Sequence, residues 1–508
     1  MCFTMRTGVC SPPRMRRPAH IPRSTCRRPA AWCVALPLFL FLTALPGAPG
    51  AVAPAAARQA GAPGPSSSDT LTSPPVLANL SGKPGVVELR LTAAPARLEL
   101  VPGKPTDAFA FNGTVPGPTI ELREGDSVII HFRNELPEPT TVHWHGLHLP
   151  AGADGSPLHP VPPGGSQDYV FNVGPGTAGT YWYHPHPDRT TTEQVAKGLF
   201  GALIIRAAHD PLAGIPDRLL ILSDNRFRPD GSVDMPEPTS LAAQYDAENG
   251  REGNVLLVNG RAMPTLSIRR GELQRWRIIN ASAARVYRLA IPGEKLIHVG
   301  SDSGLFEHPR EVDDLLLANS ERVEVLVRGT GEPGRRTVLQ SLPYDRYDPH
   351  TRPPDWNQPR DLLELRTSSD PPVSGLSVPA TLRAIPAIDT TEIAERRVIV
   401  FSQGLINGKA MDMHRVDISA RLDTTEIWQI ENVVGMDHPF HLHGFRFQVL
   451  DRDGVPEPYV SWKDSVNVPK HGVVRIVVRF EDYAGKWMFH CHILDHEDMG
   501  MMGILEVR

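Results

Sequence analysis

The sequence predicts an all-β protein of three tandem β-sandwich domains, and its length, composition and internal repeat support this. At 508 residues the chain is long enough for roughly three domains of about 150 residues each. Its 51 prolines and 43 glycines, with only 6% aromatic residues, are typical of a chain with many turns and short strands. A phrase that recurs at domain-sized intervals is the third observation.

The repeated phrase contains an Asn-Gly pair followed by short alternating stretches. It reads FNGTVPGPTIELREGDSVIIHFRNE from Phe111, VNGRAMPTLSIRRGELQRWRIINAS from Val258 and, more loosely, INGKAMDMHRVDISARLDTTEIWQIENVV from Ile406. The pairs start at Asn112, Asn259 and Asn407, which are 147 and 148 residues apart. Runs such as SVIIHFRN and EIWQIEN follow a turn and alternate in polarity, as half-buried sandwich strands do.

The repeats place three domains along the chain, at residues 85–207, 215–368 and 385–508. Two stretches, around 206–218 and around the Pro/Ser-rich 366–389, are expected to link the domains. Residues 58–84 are expected to link the first domain to an N-terminal signal.

Residues 1–57 have the composition of an export signal. The basic stretch RMRRPAHIPRSTCRRPAAW precedes the apolar run VALPLFLFLTAL, and APAAAR offers a small-residue cleavage site after Ala57. Arg27 and Arg28 lie just ahead of the apolar run, so a twin-arginine signal and ordinary secretion both stay open, with an uncleaved anchor as a lesser alternative. We expect a periplasmic or secreted protein without stable membrane insertion after processing.

Charge and cysteine content narrow the range of partners. The formal net charge of −5 is modest for this size and no long run of one sign occurs, which argues against a nucleic acid partner.

Four cysteines, Cys2, Cys10, Cys26 and Cys33, lie in the expected signal. Cys491 is therefore alone in the mature chain and can form no internal disulfide. Its histidine neighbours favour a metal ligand.

Ten of the twenty histidines fall in four short clusters, all in the first and third repeats. The clusters are HWHG (His143, His145), HPH (His184, His186), HPFHLHG (His438, His441, His443) and HCHILDHEDMGMM (His490, His492, His496). The middle repeat has no such cluster, and we expect it to be a spacer without metal.

Strand geometry divides these residues between two sites. Residues i and i+2 of a strand face one side, and residue i+1 faces the other. Each of the four His-x-His pairs can therefore direct two imidazoles to one point, which gives ligands for a cluster of several ions. By the same rule Cys491 faces away from His490 and His492, and His438 faces away from His441.

The second site would hold His438, Cys491 and His496. A trigonal His₂Cys site with a weak axial methionine is the arrangement of blue-copper electron-transfer centres, where thiolate and imidazole favour copper. Met501 is the expected axial ligand, with Met499 and Met502 as alternatives. An electron that reaches the thiolate would have a short covalent route along one strand into the neighbouring histidines.

With these motifs in this order and spacing, the chain resembles the three-domain multicopper oxidases, the family of laccases, bacterial cuprous oxidases and bilirubin oxidases. The resemblance spans residues 85–508. It implies three cupredoxin-like domains and four copper ions, namely one of type 1, one of type 2 and a type 3 pair. It also implies that a small reducing substrate gives single electrons to type 1 copper, and that four of them reduce O₂ to two waters at the other three ions.

Carried over position by position, the resemblance assigns every ligand. The type 2 ion would bind His143 and His441, one type 3 ion His145, His184 and His492, the other His186, His443 and His490, and the type 1 ion His438, Cys491, His496 and Met501. Asp154 and Glu497 occupy positions where relatives have proton-relay carboxylates. The alternatives are a turn cap for Asp154 and a hydrogen bond to a ligand for Glu497.

Several functions stay open on the sequence alone. The first is a laccase-like oxidase of phenols, aromatic amines or similar one-electron donors, and the second is a metallo-oxidase of Cu(I) or Fe(II) that serves copper tolerance. For the second, Met436 and Asp437 would either dock the metal ion or serve only in packing. The complete ligand set argues against a non-catalytic cupredoxin-fold binding protein, and the third domain argues against a two-domain copper nitrite reductase. We expect a monomer.

Overall fold

The computed structural model describes residues 70–508, which form thirty β-strands and three short α-helices. The predicted signal, including Arg27, Arg28 and its four cysteines, lies outside these residues, as does the first part of the expected linker 58–84. Within the described part of the chain, no helix has the length and apolar character needed to cross a membrane.

The first unit has two four-stranded sheets, in the orders β2-β1-β4-β6 and β3-β8-β7-β5. Its elements are β1 (Val86–Val101), β2 (Lys104–Phe111), β3 (Gly117–Arg123), β4 (Ser127–Asn134), β5 (His143–His145), β6 (Ser166–Asn172), β7 (Gly179–His184), α1 (Thr191–Ala196) and β8 (Gly201–Arg206). Alternation builds its core, because Val128, Ile130 and Phe132 of β4 are at most 1% exposed.

The middle unit has a six-stranded and a five-stranded sheet, in the orders β10-β9-β12-β17-β14-β15 and β11-β19-β18-β13-β16. Its elements are β9 (Asp217–Asn225), α2 (Leu241–Asn249), β10 (Val255–Val258), β11 (Thr265–Ile268), β12 (Leu273–Asn280), β13 (Tyr287–Ala290), β14 (Leu296–Ser301), β15 (Gly304–Val312), β16 (Leu315–Leu317), β17 (Arg322–Arg328), β18 (Arg336–Ser341) and β19 (Arg360–Thr367).

The third unit repeats this plan, with sheets in the orders β21-β20-β23-β28-β25-β26 and β22-β30-β29-β24-β27. Its elements are β20 (Glu395–Ser402), β21 (Leu405–Ile406), β22 (Ile418–Ala420), β23 (Thr424–Asn432), β24 (His438–Leu442), β25 (Phe447–Arg452), β26 (Val455–Pro456), β27 (Ser465–Val468), β28 (Val473–Phe480), β29 (Gly485–Cys491), α3 (Leu494–Asp498) and β30 (Met502–Val507).

Corresponding strands pair in the same way in all three units. The pairs β1/β4, β9/β12 and β20/β23 are parallel, and so are β3/β8, β11/β19 and β22/β30. The sequence repeat is therefore a structural repeat, and the predicted all-β fold of three cupredoxin-like sandwiches is confirmed.

We propose that the domains run over 85–207, 215–368 and 385–508. In support, β8 ends at Arg206 before β9 begins at Asp217, and β19 ends at Thr367 before β20 begins at Glu395. The described end of the linker 58–84 is packed on the sandwiches, because Thr70 pairs with Thr265 and Val76 with Thr119.

The three Asn-Gly pairs of the repeat form equivalent turns. Asn112, Asn259 and Asn407 have φ of 49°, 51° and 52°, a left-handed conformation that asparagine tolerates better than most residues. The side-chain Oδ1 of each accepts a hydrogen bond from a strand N–H: that of Thr92 at 2.7 Å, of Ile221 at 2.8 Å and of Val400 at 2.8 Å. The asparagine thus ties each turn to the strand before the one that leads into it, namely β1, β9 and β20.

Replacing Asn259 with alanine is expected to cost about 1–3 kcal/mol of stability, because it leaves the buried Ile221 N–H without an acceptor. Asn259 is only 7% exposed, and its amide also donates to the Leu219 carbonyl at 2.8 Å. Asn407→Ala is the matched control, since Asn407 is exposed and water can replace its oxygen. Denaturant unfolding of both variants measures the difference, and equal losses would contradict the explanation.

Candidate metal centre

Two strand pairs, one in the first unit and one in the third, bring the eight paired histidines together. His143 of β5 lies opposite His184 of β7, and His441 of β24 lies opposite His490 of β29. All eight imidazoles are at most 1% exposed. Because alternate residues of a strand share a face, the partners two positions away project into the same space between the units.

The ring nitrogens of these histidines converge in small groups. His490 Nε2 lies 3.3 Å from His186 Nε2 and 3.0 Å from His443 Nε2. His143 Nε2 lies 3.4 Å from His441 Nε2. Contacts this short need either a proton or a cation between the nitrogens.

Hydrogen bonds at the opposite ring nitrogens favour the cation. His143 Nδ1 donates to the Asp154 carbonyl at 2.9 Å, and His441 Nδ1 donates to the Asp464 carbonyl at 2.8 Å. A neutral imidazole has one N–H, so both Nε2 atoms then carry lone pairs that face each other. Burial lowers the pKa of both rings well below the usual range and so disfavours a second proton, and a metal ion fits the gap.

A third group has the same character. His184 Nδ1 donates to the Pro185 carbonyl at 2.9 Å, and its Nε2 faces His145 Nδ1 at 3.4 Å. The His492 ring lies 5.0 Å from that of His145 between centroids, and both of its buried nitrogens lack a hydrogen-bond partner. Unpartnered buried nitrogens beside two lone pairs indicate a ligand whose ion completes the group.

Burial also keeps the remaining imidazoles neutral. It lowers the pKa of His184 to about 3 and that of His490 to about 4, and those of His145, His186, His443 and His492 fall well below the usual range. Neutral imidazole is the form that binds metal ions. The eight histidines are therefore ready to coordinate at neutral pH.

A separate group forms around the thiol on the other face of β29. Cys491 Sγ lies 3.3 Å from His438 Nδ1 and 3.7 Å from His496 Nδ1, and the two nitrogens are 3.3 Å apart. His496 comes from α3, into which the chain turns directly after β29. Met501 is fully buried, and its carbonyl accepts the Cys491 N–H at 3.1 Å.

The donors of this group fit copper. Two imidazoles and one thiol form a trigonal set, and thiolate is a soft ligand that selects copper over harder ions. Burial raises the pKa of the Cys491 thiol, so the free protein holds it protonated and a bound cation would displace the proton. The predicted residues His438, Cys491 and His496 therefore meet in one place.

The two predicted carboxylates lie against the eight histidines. Asp154 Oδ2 accepts from His443 Nδ1 at 2.8 Å, and burial raises the pKa of Asp154 to about 8. The Glu497 oxygens lie 3.3 Å from Nδ1 of His186 and 3.3 Å from Nδ1 of His490, and burial raises its pKa well above the usual range. Both carboxyl groups can hold a proton close to the metal-binding space.

Asp464, which the sequence did not predict, also touches this space. Its Oδ1 lies 3.1 Å from His145 Nε2. It lies in one group with His145 and His441, and both of its carboxylate oxygens accept hydrogen bonds from Arg322. Its sequence neighbourhood, SWKDSVNV, has no histidine and no ligand spacing, so only the pairing of β27 with β24 reveals it.

Met436 and Asp437, which come just before His438 and form the rim of the thiol site, lack the exposure that a metal-docking site needs. Asp437 is only 1% exposed. Its carboxylate accepts hydrogen bonds from the Tyr344 hydroxyl at 2.5 Å, the Asn467 side-chain amide at 2.7 Å and the Lys470 main-chain N–H at 2.9 Å. Met436 is 6% exposed. Neither side chain is free at the surface.

Comparison with known proteins agrees with this chemistry. Three family models described as multicopper oxidase match residues 93–210, 177–348 and 380–508. A multicopper oxidase of Staphylococcus aureus is 31% identical over 86% of this chain and 92% of the relative, and a laccase of Bacillus subtilis is 28% identical over 79% and 90%. A solved metallo-oxidase of Campylobacter jejuni is 33% identical, with a TM-score of 0.79 over 86% of this chain and 95% of that one.

Proposed function

Because the chain belongs to the multicopper oxidase family, we propose that it is a laccase-like enzyme that oxidises phenols, aromatic amines or similar one-electron donors and reduces O₂ to water. One observation carries the proposal. Cys491 at the end of β29 faces the thiol site, while His490 and His492 on either side of it face the eight-histidine site. A single strand therefore joins two copper-binding groups.

The proposal includes four copper ions with the following ligands. They are His143 and His441 for type 2, His145, His184 and His492 for one type 3 ion, His186, His443 and His490 for the other, and His438, Cys491, His496 and Met501 for type 1. When bound, these ions would supply the one-electron steps at the thiol site and the four-electron chemistry of O₂ at the histidine site.

The chain itself orients the ligands and supplies protons. Carbonyl groups fix the tautomers of His143, His184, His441 and His490, so each presents Nε2 to the shared space. Water formation consumes protons, and we assign their delivery to Asp154 and Glu497, whose burial favours the protonated form. The surrounding sandwiches exclude bulk water from the site.

The rim supports an organic donor over a docked metal ion. Three donors already occupy the Asp437 carboxylate, and the nearby Met436 thioether is buried. A metal ion docked there would have to displace these hydrogen bonds. An organic donor needs only to approach closely enough for electron transfer.

A second candidate, oxidation of Cu(I) or Fe(II), is favoured by the cover over His496. Its Nε2 lies 3.3 Å from the Glu248 carbonyl at the end of α2, and His496 is 3% exposed. The Glu248 side chain is exposed at this point. A small cation could reach the Glu248 carboxylate. A planar organic donor is kept from direct contact with the His496 imidazole by the end of α2.

Oxygen uptake by the copper-loaded protein, with a phenol and with Cu(I) as separate donors, tests both candidates. We expect faster uptake with the phenol, and faster uptake with Cu(I) would transfer the proposal to the metallo-oxidase. Glu248→Gln separates them further, because it should slow only a metal donor. A copper-loaded protein that consumes no O₂ with either donor would contradict the proposed function.

We further propose that the protein is exported, to the periplasm or beyond, and that it acts as a monomer. The export proposal rests on the composition of residues 1–57.

A further inference from the structure

Arg322, at the start of β17 in the middle unit, joins all three units. Its side chain is fully buried, and every N–H of the guanidinium has an acceptor, among them the Ser320 carbonyl at 3.2 Å from Nη1. Nε donates to the Thr180 carbonyl of the first unit at 3.0 Å, and Nη2 donates to the Asp302 carbonyl of the middle unit at 3.1 Å. Nη1 and Nη2 bind the two carboxylate oxygens of Asp464 in the third unit, at 2.7 and 2.6 Å.

This forked ion pair fixes Asp464, which contacts one metal-site histidine through its carboxylate and a second through its main-chain carbonyl. Asp464 Oδ1 lies 3.1 Å from His145 Nε2, and the Asp464 carbonyl accepts from His441 Nδ1 at 2.8 Å. The two imidazoles are stacked, with centroids 3.8 Å apart and planes at 13°. Since His145 donates from Nε2, its Nδ1 is left free for a metal ion.

Gly146 of the HWHG motif leaves room for the ion pair between Arg322 and Asp464. A Cβ on Gly146, directly after His145, would lie 2.5 Å from Asp464 Oδ2 and 2.6 Å from Arg322 Nη2. The φ of Gly146 is also +86°, a conformation that suits glycine. The glycine of the histidine motif therefore packs against a guanidinium from another unit.

The loop between β16 and β17 makes further contacts at the same place. The Asn319 amide donates to the His492 carbonyl, and Ser320 Oγ lies 2.9 Å from Ser465 Oγ, which itself lies 3.1 Å from His145 Nε2. The middle unit was expected to be a spacer without metal. It contributes no histidine to the clusters, yet its loop contacts one ligand, His492, directly and another, His145, through Ser465.

We propose that Arg322 is a positioning residue through which the middle unit holds copper in the eight-histidine site, by fixing Asp464 and thereby His145 and His441. The inference rests on the proposed function. A fully satisfied bidentate guanidinium holds a carboxylate in one orientation, which a lysine or a neutral side chain cannot do. The middle domain is then part of the metal-binding machinery.

Chelator competition on the copper-loaded protein tests the proposal. Copper at the eight-histidine site is followed by the paramagnetic resonance signal of type 2 copper, which would be bound by His441, the histidine stacked on His145. Copper at the thiol site is followed by the blue absorption. In Arg322→Gln the type 2 signal should disappear at about 10- to 100-fold lower chelator concentration than in the wild-type protein. The blue absorption should follow the wild-type titration, since Arg322 contacts no ligand of the thiol site. For Arg322→Lys, the chelator concentration that removes the type 2 signal should lie between those for Arg322→Gln and for the wild-type protein.

Arg275→Gln is the matched control. Arg275 is a buried arginine of the middle unit, 4% exposed, that pairs with Glu324 and Asp210 and not with a group of the histidine site. It should titrate like the wild-type protein at both sites. If Arg322→Gln does not fold, Asp464→Asn, which keeps the shape of the side chain, takes its place with the same criterion.

Failure of the proposed function and failure of the proposed role of Arg322 give different results. A wild-type protein that takes up no copper contradicts the proposed function itself. A wild-type protein that loads normally, beside an Arg322→Gln or Asp464→Asn variant that keeps type 2 copper as firmly as Arg275→Gln does, overturns only the role of Arg322.

Discussion

Replacement of Cys491 by serine is expected to abolish both the blue absorption and the oxidase activity. Serine keeps the size and the backbone contacts of Cys491, including the N–H bond to the Met501 carbonyl at 3.1 Å. It removes the thiolate, which is the soft ligand that copper prefers and the group that joins the thiol site to His490 and His492. Visible spectroscopy and oxygen uptake of the copper-loaded variant measure the two losses.

Met488→Leu is the control for this variant. Met488 lies on the same strand, is fully buried, and packs with Met502 and Ile504 away from the thiol site. A volume-conserving change there costs little stability, so colour and activity should persist. Retention of the blue absorption by Cys491→Ser would exclude the thiol as a copper ligand.

Replacement of Glu497 by glutamine, or of Asp154 by asparagine, is expected to lower turnover by about 10²- to 10⁴-fold. Each amide keeps the shape of the carboxyl group but cannot release a proton to the metal-binding space. Glu497 lies 3.3 Å from each of two histidine Nδ1 atoms, and Asp154 lies 2.8 Å from a third. Oxygen uptake at saturating donor gives the rate, and retained blue absorption shows that the thiol site is intact.

Asp498→Asn, on the same helix as Glu497, separates proton delivery from structure. The Asp498 carboxylate accepts from the N–H groups of Thr191 and Thr192 at 2.9 and 2.8 Å, and so ties α3 to the start of α1. Its loss should cost about 1 kcal/mol of stability with little change in turnover. Glu497→Gln with wild-type turnover, or with the same modest loss as Asp498→Asn, would remove Glu497 from the proton route.

The sequence predicted the parts of the fold and site that depend on local periodicity. The recurring Asn-Gly pair marked three equivalent turns, at Asn112, Asn259 and Asn407, and the structure shows the same side-chain bond in each. The i and i+2 rule separated Cys491 from His490, and the two groups do lie on opposite faces of β29. A resemblance to a family added the expected ions, whose assignment stays a proposal.

Contacts between units were beyond such reasoning. Arg322 and Asp464 are separated by 142 residues, and Asn319 and His492 by 173. Neither pair has a spacing that a sequence motif would reveal, because the two residues of each pair come into contact only when the three sandwiches pack together. The same holds for Glu248, whose carbonyl covers His496 from a helix of the middle unit.

The sequence by itself therefore determined the fold class, the three repeats and which histidines share a face with which, since alternation along a strand is fixed by backbone geometry over a few residues. Only the tertiary structure decided what holds those histidines in place and what covers the thiol site. Several of these contacts, from Arg322, Asn319 and Glu248, come from the middle domain, which has no histidine cluster, and a buried ion pair such as Arg322 with Asp464 exists only once the domains are packed.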